Sequence, residues 1–219
     1  MTRRWILTLC LMAGFLGLNQ QAWSESMRYE EGVHYAKLET PIRTKDPTKV
    51  EVTEYFSYGC PHCYQFEPLI AAWKKRLPEG VAFNRTPAIW NQDYMVYAQA
   101  YYTAEALNVL ERVHTPIFNA IHRDRKRLNR QERMASFFAE FGVDPVDFAK
   151  VYKSFGVRAS LAQAEARGRG YLAEGVPALI VNGKYRIEGK MAGNNANMLR
   201  VADFLINKEL QMLSGAAAQ

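Results

Sequence analysis

The chain has 219 residues, 48% of them hydrophobic, and a formal charge of +6. That suits one domain, or a domain carrying a sizeable insertion, with a real buried core. A basic excess this small for the length does not argue for nucleic acid.

Residues 1–24 have the pattern of a secretory signal. Arg3 and Arg4 precede an apolar stretch from Trp5 to Leu18, and Ala22-Trp23-Ser24 puts small residues where cleavage after Ser24 needs them. The apolar run is too short for a membrane anchor, and Asn19-Gln20-Gln21 follows it at once. Removing the segment takes Cys10 away and lowers the formal charge to +4, since Arg3 and Arg4 are its only charged side chains.

Glu25 to Glu31 is a polar arm. Val33 to Leu38 alternates weakly, as a short edge strand does, and Thr40 to Lys49, with Pro41 and Pro47, is connection. Val50 to Phe56 predicts the central strand, and the helical spacing from Cys60 through Phe66, Ile70 and Trp73 runs toward Leu77, with a kink expected at Pro68. Pro78-Glu79-Gly80 ends that helix, and Val81 to Thr86 predicts a second core strand parallel to the first. From Gln92 to Tyr171 the pattern is helical, in segments near 92–110, 115–122, 130–141, 145–153 and 157–171, with breaks at Pro116, Gly142 and Gly156 and a core at Phe137, Phe138 and Phe141. Pro177 to Val181, a tight Asn182-Gly183 turn and Lys184 to Glu188 predict a hairpin. Asn195 to Leu213 is a last amphipathic helix, and residues 214–219 are expected to be a disordered tail. The fold class is therefore α/β: a mixed sheet flanked by helices, built from residues 25–91 and 172–213, with an all-helical insertion at 92–171.

Cys60 and Cys63 are the two cysteines outside the signal, and they stand where a strand passes through Ser57 and Gly59 into a helix. Pro61 falls at a first-turn position, where its missing N–H does no harm. A bridge between cysteines this close constrains the unfolded chain little, so it is a poor staple and a good redox centre. The open N–H groups and the dipole at the helix start favour a negative sulfur, so Cys60 is expected to ionise below the free-thiol value of about 8.5. His62 can add charge or a hydrogen bond. A zinc site needs more ligands than Cys60, His62 and Cys63 supply, and His34, His114 and His122 are scattered, so no metal is expected. His114 and His122 are expected at the surface or core edge, and the basic run from His122 to Arg127 as a solvated connector.

Three stretches resemble the DsbA family of thiol:disulfide oxidoreductases, of the thioredoxin fold class. They are Phe56-Ser57-Tyr58-Gly59-Cys60-Pro61-His62-Cys63-Tyr64-Gln65-Phe66-Glu67, Leu77-Pro78-Glu79-Gly80-Val81, and Gly175 to Tyr185. The resemblance implies that Cys60 is the exposed attacking sulfur, Cys63 the buried resolving one, and Val176-Pro177 the cis-proline loop against the disulfide. Proline is the residue that adopts cis cheaply, and the Val176 backbone remains free to pair with an extended substrate. Glu54 matches the family's buried acid beneath the site and is expected to accept a proton from Cys63. Arg85 stands where some relatives carry lysine, which keeps the charge and changes the geometry.

The resemblance further implies a monomeric periplasmic oxidase that needs no cofactor beyond the Cys60-Cys63 disulfide. Its partners would be newly exported, unfolded polypeptides with free thiols and a membrane quinone-linked, DsbB-like oxidant. A reductase or isomerase is one alternative; isomerase relatives usually carry a dimerisation domain, for which the arm before the first core strand is too short. A non-catalytic chaperone with an apolar groove near Cys60 is the other.

Overall fold

A computed structural model of the chain describes residues 29–217. The expected signal and its cleavage after Ser24 lie outside the described residues. Among these, five strands form one sheet: β1 (Ala36–Lys37), β2 (Val50–Phe56), β3 (Val81–Pro87), β4 (Ala178–Val181) and β5 (Tyr185–Glu188), in the order β1-β5-β4-β2-β3. Strand β3 pairs with β2 in parallel, as a crossover through a helix requires, and the other pairings are antiparallel.

The helices are α1 (Pro61–Lys74), α2 (Gln92–Ala106), α3 (Leu110–His122), α4 (Gln131–Ala139), α5 (Pro145–Tyr152), α6 (Phe155–Tyr171), α7 (Gly189–Ala192) and α8 (Asn195–Ala217). Helices α2 to α6 follow one another between β3 and β4.

All seven residues of β2 are buried, because both faces of the sheet are covered. Val50, Val52, Glu54 and Phe56 share one face by the two-residue period of a strand. Val50 and Val52 pack there with Phe66, Ile70 and Trp73 of α1 and with Leu205 of α8. Tyr55 points to the other face, against Tyr171 at the end of α6. A third cluster joins Phe56, Tyr58, Cys60 and Cys63 to Ile117, Phe118 and Phe138 of the helical segment. The dithiol therefore sits where sheet and helical segment share a core.

The elements differ from expectation at several ends. Helix α1 stops at Lys74 rather than Leu77, because bonds from Arg76 N to Trp73 O and from Leu77 N to Lys74 O tighten the last turn. Pro116 lies inside α3 instead of breaking it. The cost of an interior proline, about 3 kcal/mol, is offset by a face on which Val113, Ile117 and Phe118 are fully buried. Gly156 is likewise inside α6, whose first turn Ser154 caps by accepting from Val157 N. Helix α7 is too short to register as a period. The tail expected to be disordered from Ser214 is helical as far as Ala217, in keeping with the high helix propensity of alanine.

The Asn182-Gly183 turn has φ +49 and +63, the left-handed pair that a two-residue hairpin needs. A Cβ on Gly183 would lie 1.9 Å from the carbonyl oxygen of Ile42. Gly183→Ala should therefore cost roughly 2 kcal/mol or more, seen as a lower urea midpoint. Gly156→Ala, in a helix where a Cβ would meet nothing nearer than Ser154 Oγ at 4.0 Å, should leave the midpoint unchanged or raise it.

Candidate active site

Strand β2 ends at Phe56, and the chain turns through Ser57, whose carbonyl accepts from Cys60 N at 3.1 Å and whose Oγ accepts from Gly59 N at 3.2 Å. Gly59 lacks a side chain for a steric reason: a Cβ there would meet Tyr94 and Tyr97 at 3.0 Å. Cys60 is the N-cap of α1 in extended conformation, with no side-chain cap bond, and Pro61 opens the helix. Both cysteines are free thiols. Cys63 is fully buried and Cys60 is 5% exposed. The exposed sulfur that the family resemblance implies is thus nearly covered, because Cys60 belongs to a buried cluster against which Tyr94 and Val176 pack, while Pro61 and His62 face solvent.

The Val176–Pro177 bond is cis, and the Cys60 thiol donates to the Val176 carbonyl at 3.2 Å. Residues distant in sequence meet here because β4 starts at Ala178 and pairs with the top of β2, Ala178 opposite Tyr55.

The pKa of Cys60 is lowered to about 6. The largest cause is a hydrogen bond from the Cys63 thiol; the backbone N–H groups of Cys63 and His62 at the helix start and the charge of His62 act the same way, against the cost of burial. The two thiols move apart: burial first, then donation to Cys60 and its charge, push Cys63 well above its ordinary value.

Beneath the dithiol lies a buried ionic cluster. Arg85 donates from Nε to Glu54 Oε2 at 2.7 Å and from Nη2 to Glu67 Oε2 at 2.8 Å. His114 Nε2 lies 3.2 Å from that same Glu67 oxygen, and His114 Nδ1 lies 2.7 Å from the Tyr58 hydroxyl. Glu54 is completely buried, and its Oε1 has no hydrogen-bond partner among the described residues. Burial raises its pKa to about 7, with the nearby Glu67 adding, and the Arg85 charge only partly opposes this.

Burial likewise pushes Glu67 up, but its bond to His114 and the charge of Arg85 outweigh it and the net direction is down. Burial lowers the pKa of His114 and so favours the neutral ring. We therefore assign the support of the Glu67 carboxylate to Arg85 and to a neutral Nε2–H, with Tyr58 donating to Nδ1.

The predicted residues Glu54, Arg85, Cys60, Pro61, His62, Cys63, Val176 and Pro177 are thus brought to one region. His114 corrects its expected placement: it is 5% exposed, and burial is acceptable because both ring nitrogens are partnered. His122 is half-buried, donating from Nε2 to Tyr58 O and stacked on Tyr64. Sequence reasoning missed Glu67, His114 and Tyr58 as one network. The available signal was the four-residue spacing of Cys63 and Glu67, which places them on one helix face. Among the described residues no group of three or more His, Cys, Asp or Glu side chains is arranged to hold a metal ion.

A dithiol at a helix start, with its outer sulfur on a cis-proline loop of a mixed sheet, defines a protein of the thioredoxin class. The family model for the DSBA-like thioredoxin domain matches residues 70–205. The thiol:disulfide interchange protein DsbA of Azotobacter vinelandii is 46% identical over 178 residues, 81% of this chain and 83% of the relative. That of Pseudomonas aeruginosa is 41% identical over 208 residues, 94% and 97% of the two chains. The crystal structure of Pseudomonas aeruginosa DsbA superposes with a TM-score of 0.80 at 40% identity, covering 87% of this chain and 97% of that one. The oxidoreductase DsbA from Xylella fastidiosa gives 0.79 at 29% identity, covering 84% and 98%. The chain belongs to the DSBA-like family of thiol:disulfide interchange proteins.

A thiol whose folded pKa is depressed adds stability that is complete above its unfolded pKa and is lost as pH falls through the folded one. For Cys60 that window runs from about 9 down to about 6. Urea melts should therefore find the reduced protein more stable than the oxidised one at pH 7, with the margin shrinking at pH 5; a more stable oxidised form at pH 7 would contradict the site electrostatics.

Proposed function

We propose that the chain is a periplasmic dithiol oxidase that passes the Cys60–Cys63 disulfide to the thiols of newly exported polypeptides. The observation that supports this most is the seat of Cys60, a capping position at a helix start where the sulfur accepts from Cys63 and its charge is favoured. A sulfur stable as an anion is a good leaving group, and that sets the direction of electron flow.

In the oxidised enzyme a substrate thiolate attacks Cys60 Sγ. The bond to Cys63 breaks, its electron pair stays on Cys63, and Cys63 takes up a proton because its burial disfavours the anion. A second substrate thiolate then attacks the substrate sulfur of the mixed disulfide, and Cys60 leaves as thiolate. The substrate dithiol has lost two electrons and the enzyme has gained them. Glu54, close to half-protonated near neutrality, is the group that exchanges the Cys63 proton. His62 contributes charge at the helix start, and Pro61 opens the helix without wasting a donor. The Val176 backbone pairs with the extended substrate beside Pro177.

Recharging reverses these steps with a membrane quinone-linked, DsbB-like oxidant. No cofactor other than the disulfide is required, and the working unit is a monomer. Among the described residues no helix is long and apolar enough to cross a membrane.

Two measurements test the proposal. The redox equilibrium of the Cys60–Cys63 pair against glutathione should lie at the oxidising end of the thiol-disulfide scale; a pair that stays oxidised in excess reduced glutathione would make this a reductant. Glu54→Gln should slow attack by Cys63 on a preformed Cys60 mixed disulfide by about tenfold or more, read by quenched-flow trapping. Unchanged kinetics would remove Glu54 from the proton path.

A further inference from the structure

The segment that leads from α6 into the cis bond has no helix or strand of its own, yet it determines where the Val176 carbonyl stands. It starts at Leu172, the left-handed cap of α6, with φ +52 and an exposed side chain. Its backbone polar groups need partners, and two side chains from β5 provide them. The Glu188 Oε1 atom accepts from Glu174 N at 2.9 Å and from Gly175 N at 3.2 Å. Arg186 donates from Nη1 to the carbonyls of Leu172 and Tyr171, and its Nε lies 3.0 Å from Glu188 Oε2.

The sheet register explains why β5 can do this. Ala178, next after Pro177, pairs with Glu188, and Ile180 pairs with Arg186, so both side chains share a face beside the loop. Glu188 is 4% exposed, and a buried ion pair is seldom worth its desolvation cost as a source of stability. Here both charges are bonded to the backbone of the segment that ends at Val176.

We propose that Glu188, backed by Arg186, is a positioning residue for the reacting sulfur: it holds residues 172–175 so that the Val176 carbonyl stays against Cys60 and open to an extended substrate. The inference rests on the oxidase reading and adds the device that aligns its loop. The other charged groups near the clamp are the exposed pair Lys190 and Glu174, which are bonded to each other; the titratable groups beside Cys60 are Cys63, His62 and Tyr94.

Two consequences separate this role from plain stability. The Cys60–Val176 bond favours the protonated sulfur, so releasing the loop should make Cys60 more acidic. A displaced Val176 backbone should also pair poorly with a peptide, whereas a small thiol needs no strand pairing.

In Glu188→Leu, the apparent pKa of Cys60, followed by thiolate absorbance, should fall by roughly half a unit. Mixed-disulfide formation with a cysteine peptide should slow about tenfold, while the rate with glutathione holds or rises. Glu188→Gln keeps an oxygen for the two N–H groups and should restore most of both. If Glu188→Leu does not fold, Glu188→Asp, which keeps the charge and withdraws the oxygen from the loop, should give the same pattern. Unchanged Cys60 acidity and peptide rate in a folded variant would overturn the proposal, as would equal losses with peptide and glutathione. A wild-type protein inert toward peptide thiols would instead overturn the oxidase reading.

Discussion

A negative charge on a nearly buried sulfur is the constraint to which the rest of the site answers. Apolar surroundings alone would drive Cys60 toward its neutral form. Three donors reverse this: the Cys63 thiol and the N–H groups of Cys63 and His62. All belong to the first turn of α1, so the turn geometry that makes Cys60 the cap also aims its stabilising partners. The Val176 carbonyl, which accepts from the same sulfur, pulls the other way. Burial is the larger opposing effect, and the helix start outweighs it.

The cluster below the dithiol follows a similar logic at greater depth. Two carboxylates on the core side of β2 and α1 cannot both be ionised in an apolar interior without a partner. Arg85 supplies one charge to two acids, and its planar fork reaches Glu54 and Glu67 with separate nitrogens. One cation between two anions leaves the acids unequal. Glu67, also bonded to His114, stays ionised, while Glu54, the deeper of the two, is held near the point of half-protonation. That asymmetry is what the proposed proton exchange at Glu54 draws on, with Glu67 as the ionised partner of Arg85.

Much of this was legible in the residues themselves. The Cys60 and Cys63 pair at a strand-to-helix junction, the crossover to β3, and the Asn182-Gly183 hairpin each rest on local chemistry: turn preference, period and helix-start electrostatics. Pro116 and Gly156 were misleading because local breaker propensity was overridden by burial of the α3 face and by the Ser154 cap. His114 was misplaced for a related reason. An isolated histidine in a helical pattern has no visible partner, and Tyr58 and Glu67 become its neighbours only when α3 packs on α1.

The sequence by itself determined the redox pair and the class of sheet, because each depends on residues within a few positions of one another or on a short period; the proline beside the dithiol and the acid in the central strand were what the family resemblance implied. Tertiary structure alone decided the rest. It packed Tyr94 and Val176 against the buried cluster that holds Cys60, joined Glu54 and Glu67 through Arg85, and brought Arg186 and Glu188 to the loop they bind. These contacts link segments far apart in the chain, and neither period nor propensity encodes which distant side chains will share a buried volume once the sheet register is set.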